Sequence, residues 1–330
     1  MAPRLDYWSS VAKSTPATAL LASALLGASS FAMASQVPQP QATPTFRSAI
    51  DLVNVAAVVR DKKGRFARNL RKEDFIVEES GTRREVVDFR TDDNAPVRVA
   101  LLFDVSGSMR LVSHLEDARE SARQVLSALR LQPDADEAAV FSFDMNLQSL
   151  QPFTSDVVAI EQALSRVTPY GQTSLYDAIA QTAERVVESR PHDPRRRAVI
   201  VFTDGIDTSS ELKPEQVSAA AAAIDVPVYV MTVVTDVDRD KASLTGQAEG
   251  PLRDLSRQTG GELFVTSAPA HESIAARQIV DELRHQYVLA FTASTEAGWR
   301  RVTVRTTNRD LVVRARSGYA AGAHAGSASF

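Results

Sequence analysis

An apolar segment at residues 97–103 constrains the fold of this chain more than any other feature. Its length and composition are typical of a strand that is covered on both faces of a parallel sheet. Further apolar runs alternate with segments of helical periodicity as far as residue 285. This alternation predicts an α/β fold for residues 97–285, with a doubly wound, mostly parallel sheet.

Short β-type runs flank this region on both sides. They lie at residues 50–59, 75–77 and 86–89 before it, and at 287–292, 301–306 and 311–315 after it. Neither group contains enough strands to be stable alone. We therefore predict that residues 47–96 and 286–319 form one smaller all-β domain, into which the middle of the chain is inserted. Two separate β appendages are the alternative.

The two ends of the chain differ in composition from the rest. Arg4 and Lys13 precede an apolar run that ends in Ala32-Met33-Ala34, the small-x-small pattern that signal peptidase recognises. The predicted segments are a cleaved signal peptide at 1–34, a linker at 35–46 and a disordered tail at 320–330. Export to the periplasm or the cell exterior follows, with an uncleaved N-terminal anchor as the alternative. No later segment is predicted to span a membrane.

Composition excludes several classes of protein and site. The chain has 330 residues, a formal net charge of −4 and no cysteine. Without cysteine it has no disulfide framework, no thiolate zinc site and no cysteine nucleophile. A weakly negative chain offers no general attraction for nucleic acid or for anionic membranes, so we expect no nucleic-acid partner.

Polar side chains follow two of the predicted strands. Asp104, Ser106 and Ser108 come directly after the strand at 97–103, and Asp204 follows a later strand. Thr173 lies between them in sequence, at the start of a helix. In open sheets of this type, ligands bind outside the carboxyl ends of the strands. Carboxylate and hydroxyl oxygens favour Mg²⁺, Mn²⁺ or Ca²⁺. Because only two of the five ligands are charged, the ion would keep net positive charge and could accept a carboxylate from a second molecule.

In order and spacing, these five residues resemble the metal-ion-dependent adhesion site (MIDAS) of von Willebrand factor type A (VWFA) domains. The resemblance covers the predicted α/β region and implies a Rossmann-like VWFA fold that binds its partner through the metal. It also implies that Ser106, Ser108 and Thr173 contact the metal directly. Asp104 and Asp204 would then act largely through ordered water and hydrogen bonds.

Each part of this constellation also has a simpler explanation. The three hydroxyl residues could cap the helices that follow them, and Asp204-Gly205 could form an ordinary turn. Asp177 and Asp207 lie near the site in sequence. Each of them has two possible roles: a position on a helix surface or in a turn, or support of the metal ligands.

We predict an exported, divalent-metal-dependent adhesion or protein-binding module rather than an enzyme. The flanks resemble those of a bacterial VWFA-related family, described mainly from acidobacteria, which shares the Glu73-Asp74-Phe75 segment. An assembly or regulatory subunit of an envelope complex is the first alternative, with the paired β flanks and the helix at 270–284 as lever and docking surface. A metal-dependent hydrolase is the second, although the sequence lacks a Gly-x-Ser-x-Gly elbow and a Walker loop. Only His114 lies near the site in sequence, at a predicted surface position of a helix.

Overall fold

The computed structural model describes residues 52–110, 114–169, 171–190, 193–223, 225–233, 242–266 and 269–321. The predicted signal peptide and linker lie outside these ranges, as does the chain beyond residue 321. Across the described ranges, no helix combines the length and the apolar character needed to cross a membrane.

Strands occupy both ends of the described chain, and strands and helices alternate between them. The strands are β1 (Leu52–Asp61), β2 (Phe75–Glu79), β3 (Thr82–Arg84), β4 (Asp88–Thr91), β5 (Val97–Asp104), β6 (Glu137–Phe143), β7 (Leu147–Thr154), β8 (Arg196–Thr203), β9 (Val228–Val233), β10 (Leu263–Thr266), β11 (Tyr287–Thr292), β12 (Gly298–Thr306), β13 (Leu311–Ala315) and β14 (Gly318–Ala321). The helices are α1 (His114–Ala128), α2 (Val157–Ser165), α3 (Leu175–Glu188), α4 (Pro214–Ala223), α5 (Ala242–Thr259) and α6 (Pro269–Arg284), with short 3-10 turns at Lys72–Asp74 and Gly107–Arg110.

Six strands form the central sheet, in the order β10-β9-β8-β5-β6-β7. Neighbouring strands are parallel except for β6 and β7, which are antiparallel. Every residue of β5 is buried, because this strand has neighbours on both sides and helices on both faces. The predicted doubly wound, mostly parallel sheet is confirmed.

Helices cover both faces of this sheet. Successive side chains of β5 point to opposite faces, so Leu101 and Phe103 pack with α1, α2 and α6, whereas Ala100 and Leu102 pack with α3, α4 and α5. The parallel strands all end on the same side, which we name the carboxyl end of the sheet. The opposite side, where they begin, is the amino end. Asp104 lies at the carboxyl end and Arg98 near the amino end.

Two further antiparallel sheets are built from the flanks. Their strand orders are β13-β1-β11-β4 and β14-β12-β2-β3. Each sheet combines strands from both ends of the described chain, since β1 pairs with β11 and β13 and β2 pairs with β12. The two sheets share one core, in which the rings of Phe75 and Tyr287 pack at a tilt of 54° with centroids 5.2 Å apart. The smaller all-β part expected from the flanks is therefore present, whereas the domain boundaries at residues 97 and 285 stay a prediction.

Buried charges join the flank sheets to α6. Glu282 of α6 is fully buried and pairs with Arg60 of β1 at 2.6 Å. It also pairs with Arg314 of β13, which makes a further ion pair with Glu262. Flanks and central sheet thus belong to one compact unit.

The prediction of a disordered tail at residues 320–330 was wrong for its first two residues. Ala320 and Ala321 belong to β14, and Ala321 is opposite Gly298 of β12. Tyr319 and Ala321 are buried in the flank core, which holds the strand in place. The Gly- and Ala-rich composition concealed this short strand.

Candidate metal centre

The segment after β5 supplies three of the predicted ligands. Asp104 is fully buried, and its Oδ1 accepts a hydrogen bond from the backbone N–H of Ser106 at 2.9 Å. The Oγ atoms of Ser106 and Ser108 lie 2.9 Å apart. The 3-10 turn at Gly107–Arg110 reverses the chain here and buries Met109. One carboxylate and two hydroxyls therefore lie within five residues at the end of β5.

Thr173 lies beside this turn because the loop before α3 is hydrogen-bonded to it. The N–H of Gly107 donates to the carbonyl oxygen of Gly171 at 3.0 Å, and the N–H of Ser174 donates to that of Asp144 at 2.8 Å. Gly171 has a φ of +102°, and a Cβ atom there would lie 3.2 Å from the Asp144 side chain. Glycine suits both this backbone conformation and this close approach. Thr173 itself is 3% exposed.

Strand β8 brings the second carboxylate. Its last residue, Thr203, donates from Oγ1 to Oδ2 of Asp104 at 2.6 Å, and Gly205 N–H donates to the same Oγ1 at 3.0 Å. Asp204 is half-buried, and its Oδ1 accepts from Ile206 N–H at 3.2 Å. Because β5 and β8 are adjacent in the sheet, Asp104 and Asp204 reach the same part of its carboxyl end.

The loop after Asp204 is tied to the start of α3. The N–H groups of Thr208 and Ser209 donate to the carbonyl oxygen of Thr173 at 3.0 and 2.9 Å. Thr173 N–H in turn donates to Oγ1 of Thr208 at 3.0 Å. The structure therefore places all the predicted ligands on three hydrogen-bonded segments at the carboxyl end: Asp104, Ser106, Ser108, Thr173 and Asp204.

Comparison with known proteins agrees with this architecture. Residues 99–206 match the family model of the von Willebrand factor type A domain. The central sheet has the VWFA fold. Thrombospondin-related anonymous protein of Plasmodium falciparum is 29% identical over 124 residues, which are 35% of this chain. The match spans only 22% of that relative's length.

Two solved structures are similar to this chain at low identity. A von Willebrand factor type A protein from Catenulispora acidiphila has a TM-score of 0.47 and 13% identity, covering 77% of this chain and 74% of its own. Proximal thread matrix protein 1 from the mussel byssus, a structure with a zinc-occupied MIDAS motif, has a TM-score of 0.46 and 18% identity. That match covers 62% of this chain and 49% of the mussel protein.

The charges at the carboxyl end of the VWFA sheet are unbalanced. Burial raises the pKa of Asp104 from 3.8 to about 7, and the nearby carboxylate of Asp204 raises it as well, against hydrogen bonds from Thr203 and Ser106. Among the described residues, no basic side chain forms an ion pair with either carboxylate. A cation from solution would balance these charges.

The donor set fits a hard divalent cation. All the side-chain donors are oxygen atoms, which Mg²⁺, Mn²⁺ and Ca²⁺ prefer. The described part of the chain contains no cluster of three or more His, Asp or Glu side chains that could hold a metal. A cation here would therefore depend on hydroxyls, and the Oγ atoms of Ser106 and Ser108 lie 2.9 Å apart. Hydroxyls rotate freely enough to turn toward an ion.

Thr203 is a site residue that sequence analysis missed. Its Oγ1 is shared between Asp104 Oδ2 and the N–H of Gly205, so it fixes the buried carboxylate relative to the loop that carries Asp204. Its position directly before Asp204 in a predicted strand end was the one available signal. The hydrogen bond to a residue 99 positions away in the chain depends on strand pairing, which the sequence does not show.

Asp177 and Asp207 support the site indirectly, through hydrogen bonds between the loop after Asp204 and α3. Asp207 Oδ1 accepts from Leu175 N–H at 2.9 Å and from Ser210 Oγ at 2.6 Å. Asp177 accepts from the N–H groups of Glu211 and Leu212, both at 2.9 Å. Together they hold the loop after Asp204 against the first turn of α3, so their carboxylates are occupied by the backbone rather than free at a surface.

The surface position predicted for His114 was wrong. His114 is 2% exposed, because it lies on the same stripe of α1 as the buried residues Ala118 and Ala122.

Proposed function

We propose that this protein is an exported module that binds a protein or another carboxylate-bearing partner through a divalent cation. The ligands would be Asp104, Ser106, Ser108, Thr173 and Asp204. The observation that carries the proposal is the fully buried Asp104 beside Asp204, with no basic side chain of the described chain paired to either. Mg²⁺ is the first candidate, with Mn²⁺ and Ca²⁺ as alternatives. Export rests on the predicted signal peptide.

The hydrogen bonds of the site support a division of roles among the ligands. Both carboxylate oxygens of Asp104 already accept hydrogen bonds, from Ser106 N–H and from Thr203 Oγ1, so Asp104 suits indirect contact through water. The hydroxyls of Ser106, Ser108 and Thr173 are proposed to contact the cation directly, and Asp204 to act as Asp104 does. A bound cation supplies a coordination position for a carboxylate of the partner.

Exposed apolar side chains near the site favour a protein partner. Met145 is 58% exposed and Ile206 is 45% exposed. Met145 follows Asp144, whose carbonyl oxygen is bonded to the loop of Thr173, and Ile206 closely follows Asp204. Apolar side chains, Met among them, are enriched in the buried core of protein interfaces. We propose that the partner presents a carboxylate next to an apolar side chain.

A specific observation also favours an assembly or regulatory role as the second candidate. The ion pairs of Glu282 with Arg60 and Arg314 connect α6 directly to the flank sheets. The flanks, proposed as one domain of residues 47–96 and 286–319 around a VWFA domain at 97–285, would then serve as the docking surface. We propose no enzymatic activity and no nucleic-acid partner.

Calorimetric titration of the purified protein with MgCl₂ and MnCl₂ tests the metal site. We expect saturable binding to one site, abolished by Asp104→Ala and retained by Asp93→Ala, which removes an exposed carboxylate outside the site. Acetate in the buffer supplies the carboxylate that a partner would otherwise provide. Failure of the wild-type protein to bind Mg²⁺, Mn²⁺ or Ca²⁺ with acetate present contradicts the proposal.

Partner binding is tested separately with Asp204→Ala. The variant should lose affinity for the partner, as should the wild-type protein in EDTA. Equal affinity of variant and wild type would place the contact surface elsewhere on the molecule.

A further inference from the structure

A cavity separate from the candidate metal centre lies on the α3 face of the central sheet. Its volume is about 420 Å³, within the size range of small-molecule sites. It lies between α3 and the strands β6 and β7. Three arginines line it: Arg98, Arg185 and Arg190. The other lining side chains include the apolar Phe141, Leu147 and Phe153. A pocket lined by several cations and by aromatic rings combines attraction for an anion with an apolar surface.

Arg98 forms the inner wall of this cavity. It is 2% exposed although it interrupts the apolar run of β5. Its guanidinium carbon lies 3.8 Å from the ring centroid of Phe153, a cation–π contact. Its Nε makes no hydrogen bond among the described residues, and its ion pairs with Glu137 and Asp193 are long, at 3.4 Å each.

All the charged side chains that line the cavity are arginines. Glu137 and Asp193 are shared by Arg98, Arg190 and Arg195, with Arg195 Nη1 closest to Asp193 at 2.8 Å. Exposed Arg185 also lines the cavity, and no ion pair holds it among the described residues. Burial lowers the pKa of Arg98, and Arg190 and Arg195 lower it further against the two carboxylates. The lining itself therefore carries positive charge, and Glu184 and Glu188 lie near Arg185 on α3.

We propose that this cavity binds a small organic anion, with its carboxylate or phosphate group against Arg98, Arg185 and Arg190 and its apolar body against Phe153 and Leu147. The site is separate from the metal centre. Arg98 and Asp104 are six positions apart on β5, so at about 3.3 Å per residue their Cα atoms lie about 20 Å apart. The inference is independent of the proposed metal-dependent function.

The test uses benzoate and phenyl phosphate as probes of the full chain in EDTA, which prevents binding through a metal. Calorimetry or protein-observed NMR should show saturable binding of at least one probe. Arg185→Gln and Arg190→Gln should each weaken it by about tenfold, since each removes a charge-assisted hydrogen bond. Arg83→Gln, which removes an exposed arginine of β3, should leave the affinity unchanged.

Further variants separate the alternatives. Asp104→Ala should bind the probe as the wild type does, which places binding away from the metal centre. Phe153→Leu should weaken benzoate and phenyl phosphate without changing the much weaker affinity for inorganic phosphate. Melting temperatures of the arginine variants close to that of the wild type show that the fold is retained. The proposal is overturned if neither probe binds, if both arginine variants bind as the wild type does, or if inorganic phosphate binds as tightly as phenyl phosphate.

Discussion

Carboxylates lie beside both ends of strand β5, and their surroundings differ. At the amino end, Asp136 beside β5 is fully buried and pairs with Arg284 at 2.6 Å, and Asp193 pairs with Arg195 at 2.8 Å. At the carboxyl end, Asp104 and Asp204 have no such partners among the described residues. The carboxylates at the amino end are paired with arginines of the chain, whereas those at the carboxyl end are balanced only by a proton or a cation from solution.

This difference separates structural carboxylates from functional ones. The pKa of Asp193 is lowered, since hydrogen bonds from Arg195 and the charges of Arg195 and Arg98 outweigh the effect of its burial. The pKa of Asp104 is raised to about 7, because burial is opposed by no cation and Asp204 adds repulsion. Carboxylates whose pKa is lowered stabilise the fold at neutral pH. Those whose pKa is raised destabilise it until a ligand binds.

The largest effect is expected at the amino end. Asp136→Asn should lower the free energy of unfolding by about 3–5 kcal/mol, because it leaves the largely buried Arg284 without its partner. The carboxylate also accepts hydrogen bonds from the N–H groups of Val97 and Arg130, at 2.8 and 2.6 Å. Urea denaturation measures the change. A loss below about 1 kcal/mol would remove the distinction between the two ends.

The matched change at the carboxyl end should have the opposite sign. Metal-free wild type loses stability as pH rises from about 4 to about 7, because Asp104 holds its proton more tightly in the folded chain than at its ordinary pKa of 3.8. Asp104→Asn carries no such charge, so in EDTA it should be the more stable protein at pH 8, by on the order of 4 kcal/mol at most. The advantage should vanish near pH 4. Urea denaturation across this pH range, with Asp93→Asn as control, checks both the sign and the window.

Metal should reduce that difference in stability. At a free Mg²⁺ concentration of about 100 times its Kd, we expect the wild type to gain about 2.7 kcal/mol. Asp104→Asn should gain nothing, because a ligand that holds the cation is lost. Denaturation with and without EDTA gives the two differences, and an equal gain in both proteins would place the cation at another site.

The smallest effect is expected for Asp207. Asp207→Asn weakens the hydrogen bonds to Leu175 N–H and Ser210 Oγ, which hold the loop after Asp204 against α3. We expect a loss of about 1 kcal/mol in unfolding free energy and a metal affinity lowered by a few fold. Calorimetry with Asp254→Asn, on α5 away from the site, serves as control. Unchanged metal affinity would show that the loop is positioned without Asp207.

The central fold could be predicted because its signals are local. The fully buried β5 appears as an apolar run, and the alternation of apolar runs with helical periodicity predicted the mostly parallel sheet. The short strands β3 and β14 were not predicted, since three or four residues carry no clear alternation and their stability comes from partners far away in the chain.

The site was predictable only in part for the same reason. The residues at the ends of β5 and β8 could be placed together from the rule for open sheets, since strand ends are local features. Other features of the sites depend on which elements pack together. They are the burial of His114, the hydrogen bond of Thr203 and the grouping of arginines around the cavity beside α3. Arg98 in particular lies within an apolar run that sequence analysis assigned to the core.

The pairing of strands from both ends of the chain also sets an order of folding during synthesis. In the described chain, the neighbours of β1 are β11 and β13, so β1 has no strand partner until residue 287 and beyond have been made. The elements from β5 to α6 have all their sheet neighbours by residue 284 and can fold earlier. The flank sheets are thus completed last, and β1 is exposed to wrong pairing for most of the time the ribosome takes to finish the chain.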